Sequence, residues 1–495
     1  MCQKFAQLIS KRAKILLELL FVTMATVESL ARNGSVWTAK TLHIELTKAS
    51  QPPSLRTVLR GIDELIGDSL VSSVELVENG SGKRINPLIV PAIKSWLSAK
   101  RYPLEILQLI TSPEGNLVVM VNSKGRLIWK AAGKRGIRQA ISEVVQSQGG
   151  RLALLPHGTI RTELAHVDLP PTIINLSSLL PPEPFHPREA SVSSSARSPS
   201  YLDNLERESI NIIREAVASA RNPGMLFSMG KDSMVMLTLA RKAFAPGPIP
   251  FPLVVIDTRW KFQDMYRFRE YLQDDPQLSV IVYVNPEAIE RDVNPFSFGS
   301  ATHTDITKTQ ALRQVLDEHQ FDFVFGGARR DEEKSRAKER VFSVRNSSHG
   351  WDPKKQRPEL WDLYNTTLVD GQTMRVFPLS NWTELDIWRY LENENVDLVP
   401  LYFSALRPFV RRNKALIMVD DERFPLEEGE EIFFDHIRFR TLGCYPLTGG
   451  AASRATTIGE IISELETSHI SERSSRVIDF DQGASMEQKK RDGYF

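Results

Sequence analysis

Met225-Leu226-Phe227-Ser228-Met229-Gly230-Lys231-Asp232-Ser233 runs from an apolar, strand-like segment through a short loop into a helical pattern carried by Met234, Leu237, Leu239 and Ala240. A strand, tight loop and helix in succession aim backbone N–H groups and a helix N-terminus at a phosphate. Gly230 lets the backbone turn and approach closely. Lys231 adds a point charge, Ser228 and Ser233 add hydroxyl donors, and Asp232 lies between them. The stretch is not a Walker A loop, because the first Gly and the four-residue spacer are missing.

Further apolar runs follow. Pro252-Leu253-Val254-Val255-Ile256-Asp257-Thr258 reads as a buried strand ending in a carboxylate, Val280 to Val284 as another, and Phe321 to Phe325 as one ending in Gly326-Gly327. Helical patterns fill the gaps at Leu202 to Ala220, Asp264 to Gln273 and Lys308 to His319. Apolar strands alternating with helices predict an α/β fold with a doubly wound parallel sheet. Ligands of such sheets bind at the carboxyl ends of strands, near a topological switch point. Ser228, Asp257, Gly326 and Gly327 all fall at such ends, and Asp257 alone is equally a strand-terminal turn residue. Arg329 and Arg330 then open a run of mixed charge. Such a run is usually a solvated helix face, but paired arginines beside Gly-Gly also suit a planar oxyanion such as phosphate or sulfate.

The loop resembles the PP-loop, Ser-x-Gly-Lys-Asp-Ser, of ATP pyrophosphatases, which implies an adenine nucleotide alpha hydrolase-like fold. Three longer stretches narrow the resemblance: Gly326 to Arg340, Arg375 to Trp388, and Arg438 to Gly449. With His303-Thr304-Asp305, Trp351-Asp352-Pro353 and the ending Met486 to Phe495, they look like the small, catalytic subunit of bacterial heterodimeric sulfate adenylyltransferase. The similarity covers 201–495. It implies ATP plus sulfate giving adenosine 5′-phosphosulfate and pyrophosphate, with ATP and Mg²⁺ as cofactors. The resemblance also implies a GTPase large subunit as partner; no GTPase motif occurs in this chain. The roles implied put Ser228, Gly230, Lys231, Asp232 and Ser233 around pyrophosphate and Asp257 near the nucleoside. Arg329 and Arg330 would face sulfate or the leaving charge, and the Mg²⁺ ligand stays open.

The sequence departs from that family. Arg259 replaces Gly between Thr258 and Trp260, and Asn346 to Gly350 is less basic. An N-terminal extension is also present. These features keep open an ATP pyrophosphatase of DNA phosphorothioation, acting beside a cysteine desulfurase and a nickase, with Cys444 as sulfur carrier or packed thiol. A nucleotide-sensing regulator is a third, non-enzymatic class, disfavoured by the intact loop. A phosphoadenosine phosphosulfate reductase shares the fold, but its Glu-Cys-Gly-(Ile/Leu)-His tail is missing.

Ahead of residue 201 the pattern changes. Pro52-Pro53 breaks the chain, and Val58, Leu59, Ile62, Leu65 and Ile66 share one helical face. Thr38 to Leu46 also reads as helical. Val71 to Val77 and Ile85 to Val90 read as strands around Asn79-Gly80-Ser81-Gly82. Helices followed by a hairpin resemble a winged helix-turn-helix over 1–100. Arg56 and Arg60 would stand on its recognition helix and Lys83 and Arg84 in its wing, for DNA or for protein docking. Residues 101–177 predict a small α+β module with a hairpin at Leu117 to Trp129, a helix at Ile137 to Val145 and a strand at Leu152 to Leu155. In it, Gly133 to Gly136 reads as a basic turn. Pro- and Ser-rich 178–200 predicts a flexible connector.

Composition bounds the rest. The chain has 495 residues, 41% hydrophobic and 25% charged, with net charge +1, so no global field favours nucleic acid. Two cysteines, Cys2 and Cys444, exclude a disulfide framework and a Cys-rich metal site within one chain, which fits a reducing cytoplasm. The apolar run at Ile15 to Val22 is interrupted by Glu18 and is too short to span a bilayer.

Overall fold

A computed structural model describes residues 37–38, 71, 73–112, 115–122, 125–131, 133–146, 150–187, 201–332, 336–412 and 415–467. The chain divides into two units, Met1–Glu183 and Pro184–Phe495.

In the first unit the strands are β1 (Trp37–Thr38), β2 (Leu104–Ser112), β3 (Gly115–Asn122), β4 (Gly125–Ala131), β5 (Leu152–His157) and β6 (Ile173–Asn175). They form one sheet in the order β1-β4-β3-β2-β5-β6. Helices are α1 (Val90–Lys100), α2 (Gly133–Gln146) and α3 (Ile160–Leu164). Ile137, Ala140, Ile141, Val144 and Val145 repeat at helical spacing on α2 and close over Leu107, Val118, Met120 and Leu154. The expected hairpin is β3–β4, and Gly133 to Gly136 is the first turn of α2.

Four expectations differ from the structure. Val71 to Val77 is not a strand: Val74–Leu76 is a 3₁₀ turn, and Glu78 and Arg84 form an isolated antiparallel bridge. Instead of a strand returning through Ile85 to Val90, the chain enters α1, with Pro91 in the first turn, where its missing N–H costs nothing. The division at residue 100 is not seen: β1 pairs with β4, and Gln108 exchanges two 2.8 Å hydrogen bonds with the Val71 backbone. Lys83 and Arg84 are exposed; Arg56 and Arg60 lie outside the described residues. Finally, 178–183 is anchored rather than loose. Leu179 and Leu180 are buried, and the Pro181 carbonyl accepts from Asn79 Nδ2 at 3.1 Å and Arg161 Nη1 at 2.5 Å. The prolines that suggested a linker still carry carbonyl acceptors, and the leucines supply the anchor.

In the second unit, Phe185 packs edge-on against Phe268 at 4.7 Å. The strands are β7 (Pro223–Leu226), β8 (Leu253–Ile256), β9 (Val280–Tyr283), β10 (Phe323–Phe325), β11 (Phe342–Arg345) and β12 (Thr373–Val376), in the order β11-β12-β10-β7-β8-β9. All neighbours are parallel except β11 with β12. Helices α4 (Tyr201–Ser219), α5 (Lys231–Phe244), α6 (Gln263–Gln273), α7 (Pro286–Glu290), α8 (Gly299–Thr304) and α9 (Ala311–His319) intervene, so the fold is doubly wound α/β as predicted. Leu312, Val315 and Leu316 of α9 cover Leu226, Val254 and Val324 on the sheet. The chain leaves β7 for β8 and β9, then returns to β10 and β12 on the other side of β7. The switch point therefore lies between β7 and β10, and the loop at 227–230 opens there.

Beyond β12 come α10 (Glu384–Asn393), strands β13 (Ala405–Arg412), β14 (Ala415–Met418), β15 (Phe433–Arg438) and β16 (Ala451–Ala452), and α11 (Ile458–Thr467). These strands form an antiparallel sheet, β14-β13-β15-β16, which the sequence reading did not foresee.

Candidate active site

Gly230 is the N-cap of α5, but it does not make the turn. Its φ is −73°, whereas Met229 takes φ +60°. What Gly230 supplies is room: a Cβ there would lie 3.2 Å from Ser228 Oγ and 3.5 Å from Tyr402 Oη. Ser233 Oγ donates to the Gly230 carbonyl at 2.8 Å and lies 3.4 Å from the exposed Ser228 hydroxyl. The Lys231 backbone N–H donates to Tyr402 Oη at 2.7 Å. Tyr402 arrives from 171 positions away in sequence and is packed edge-on to Trp388, and nothing local to the loop signals it.

Lys231 is almost fully buried, with Nζ 3.3 Å from Asp232 Oδ2. Arg329, equally buried, donates from Nε to Asp232 Oδ1 at 2.7 Å. Burial alone would raise the Asp232 carboxyl, but Lys231 and Arg329 outweigh it and hold the group at about 2. Gly327 lets the chain after β10 pass against α5, since a Cβ there would stand 3.2 Å from Asp232 Cβ. The close approach expected of Gly326-Gly327 is thus, at Gly327, an approach to the first turn of α5. Glu384, at the start of α10, pairs with Arg440 Nη2 at 2.7 Å. Burial raises its carboxyl, and the Arg440 hydrogen bond with the Lys231, Arg440 and Arg329 charges lowers it further than that. Thr383 and Asp386 form a capping box that fixes this end of α10. Cations at Lys231, Arg329 and Arg440 thus alternate with carboxylates at Asp232 and Glu384, in fixed positions around the switch point.

Other expected residues face elsewhere. Arg330 donates to Asn381 Oδ1 at 2.5 Å, with Glu359 at 4.0 Å, and both partners lie outside the loop at 228–233. Asp257 accepts from Arg269 Nη1 at 2.5 Å and from the Arg259 N–H at 2.8 Å, which makes it a strand-end turn residue with a cation attached. Arg259 takes φ +60°, the conformation that favours glycine. Its guanidinium turns to the Ala288 carbonyl and Asp292, each at 3.3 Å. Arg259→Gly is therefore expected to shift unfolding stability by no more than about 1 kcal/mol, since relief of the left-handed strain offsets a weak exposed ion pair. ATP affinity, read by equilibrium dialysis, should stay as in wild type; a several-fold change would place Arg259 at the nucleotide after all. Cys444 is buried and donates from Sγ to Thr258 Oγ1 at 3.2 Å. Burial raises its thiol, but Lys308, Lys261 and the Thr258 bond outweigh that and hold it below its usual range.

The phosphoadenosine phosphosulfate reductase domain matches residues 222–450, from β7 to the antiparallel sheet. Sulfate adenylyltransferase subunit 2 of Geobacter metallireducens is 58% identical over 295 residues, 60% of this chain and 98% of that protein. The chain belongs to the sulfate adenylyltransferase subunit 2 family. The Hahella chejuensis member is 60% identical over 295 residues, 60% of this chain and 98% of its own. That of Rhodopseudomonas palustris is 60% identical over 300 residues, 61% of this chain and 92% of its own. Among solved structures, a phosphoadenylyl-sulfate reductase from Candida auris shares 16% identity and a TM-score of 0.29, covering 42% of this chain and 93% of that one. No helix among the described residues is long and apolar enough to cross a membrane.

Proposed function

We propose that this subunit 2 family member transfers the adenylyl group of ATP to sulfate, giving adenosine 5′-phosphosulfate and pyrophosphate. Lys231 and Arg329, clamped on Asp232 at the β7–β10 switch point, carry the reading. A sulfate oxygen forms a bond to the α-phosphorus while the bond to the bridging oxygen breaks, and pyrophosphate departs with that electron pair. The chain's task is to position the phosphates and to neutralise charge on the leaving group. The α5 N-terminus, Lys231 and the hydroxyls of Ser228 and Ser233 would hold the β- and γ-phosphates. Arg329 would keep Asp232 ionised and Lys231 oriented, acting through its neighbours rather than on sulfate. No group of three His, Cys, Asp or Glu side chains suited to a metal occurs among the described residues. Mg²⁺ would be carried with the phosphates, whose charge it screens.

Subunit 2 relatives imply a large partner subunit. We infer that it hydrolyses GTP to drive formation of the phosphosulfate bond, in a reducing cytoplasm. Adenylyl transfer to sulfate is favoured over DNA phosphorothioation, because the relatives span nearly their whole length and Arg259 is turned to Asp292. DNA contact by Lys83 and Arg84 would be separate from this chemistry.

The test is pyrophosphate release from ATP, with and without sulfate, by the purified chain plus its large subunit. Sulfate-dependent release with adenosine phosphosulfate formed is expected. Release indifferent to sulfate but dependent on DNA would overturn the reading. A chain beginning at Pro184 is expected to keep at least half of the activity, since the first unit has its own core; activity lost in a folded truncation would give that unit a role in the chemistry.

A further inference from the structure

Arginines that the sequence reading did not single out lie buried together on the β11–β12 side of the sheet. Arg375 stands on β12, opposite Ser343 of β11, and Arg345 is two residues along β11 on the same face. Arg345 and Arg375 are each 1% exposed, and Arg336, from the 3₁₀ turn Arg336–Lys338, is 6% exposed. Glu339 accepts from Arg345 Nη2 at 2.5 Å and lies 3.5 Å from Arg336 Nη1. Arg345 Nη1 also donates to Ser343 Oγ at 3.1 Å, and Glu332 lies 3.9 Å from Arg336. Arg375 differs. Its Nε, Nη1 and Nη2 are all buried and have no acceptor among the described residues. Burial first, then repulsion from Arg345, presses its guanidinium down to about 9, with Glu339 offsetting only part.

A buried guanidinium without an acceptor is costly. The planar fork of arginine matches the paired oxygens of a tetrahedral oxyanion. Position also matters. β12 neighbours β10, and β10 neighbours β7, two strand spacings of ~4.8 Å away, with Arg375 level with Val324 and Gly224, four residues before Ser228 of the PP-loop.

We propose that Arg375, with Arg345 and Arg336 beside it, forms a binding site for sulfate, the adenylyl acceptor. The proposal rests on the adenylyl-transfer reading above and moves the sulfate role from Arg329 and Arg330 to this cluster. Arg375 supplies donors with no other acceptor among the described residues; Arg345, held by Glu339 and Ser343, fixes the field around it.

The experiment has two arms, both on the full chain with its large subunit. In the first, radiolabelled sulfate binding is measured by equilibrium dialysis for wild type, Arg375→Lys and Arg375→Met. At least a tenfold loss of sulfate affinity is expected in Arg375→Met, partial recovery in Arg375→Lys, and unchanged ATP affinity in both. Unchanged sulfate affinity in a folded Arg375→Met would overturn the proposal. In the second arm, crystals of the wild-type complex are soaked in selenate, which needs no variant to fold. An anomalous peak within hydrogen-bond distance of Arg375 is expected. A peak elsewhere, or a carboxylate of the chain paired with Arg375, would overturn it. If adenosine phosphosulfate forms and the sulfate KM of Arg375→Met is unchanged, the site fails and the function stands. If selenate binds at Arg375 and no adenosine phosphosulfate forms, the function fails, and with it the acceptor role.

Discussion

Lys231→Ala is expected to lower sulfate-dependent pyrophosphate release by at least about 10²-fold, the scale on which one donor to developing negative charge acts. Lys231 is the buried cation of the α5 first turn, with its ammonium 3.3 Å from Asp232. Pyrophosphate gains charge as it departs, so a fixed cation there would stabilise the transition state more than bound ATP. The loss should therefore fall in kcat and not mainly in the KM for ATP. The fold should survive, because Asp232 keeps the Arg329 bond at 2.7 Å. Steady-state kinetics alongside circular dichroism separate the two effects. Activity near wild type in a folded variant would remove the PP-loop from the mechanism.

Arg329→Met is expected to cost about 3 kcal/mol of stability, the lower end for breaking a buried ion pair, because Lys231 still faces the carboxylate. Urea unfolding of the chain beginning at Pro184 measures it. The pH dependence gives the cause. In wild type, Asp232 is held at about 2 against an ordinary 3.8. A depressed carboxyl contributes stability that is fully present above its unfolded value and is lost as pH falls through its folded value. Here that contribution is at most about 2 kcal/mol, lost between pH 4 and pH 2. Without Arg329 the folded value rises, so the variant gives up less on acidification. The gap between wild type and Arg329→Met should narrow from pH 5 to pH 2. A gap constant across that range would mean that Arg329 acts by packing and not through Asp232.

What the sequence disclosed was local. The strand, loop and helix around Gly230 follow from consecutive residues, and so does the parallel sheet from its apolar runs. The β3–β4 hairpin and α2 were legible for the same reason. Contacts between distant positions were not. Tyr402 meets Lys231 across 171 positions, and Arg375 finds Arg345 only because β12 lies between β10 and β11. The pairing of Arg329 and Arg330 in sequence suggested a shared task, yet one is buried on Asp232 and the other turns to Asn381. Val71, Val74 and Val77 gave a strand-like composition, and Pro91 then set a helix start where a returning strand was expected.

The Tyr402 hydroxyl on the Lys231 amide has a bearing on turnover. Where that amide also serves a phosphate oxygen, arrival and departure become an exchange of one acceptor for another. The amide is never left dry, and the oxygen's net gain in affinity is only the difference between two hydrogen bonds. A cradle arranged this way would grip its leaving group lightly: the tyrosine would be a resident understudy, stepping in as pyrophosphate goes, and product inhibition would be weakened without loss of alignment.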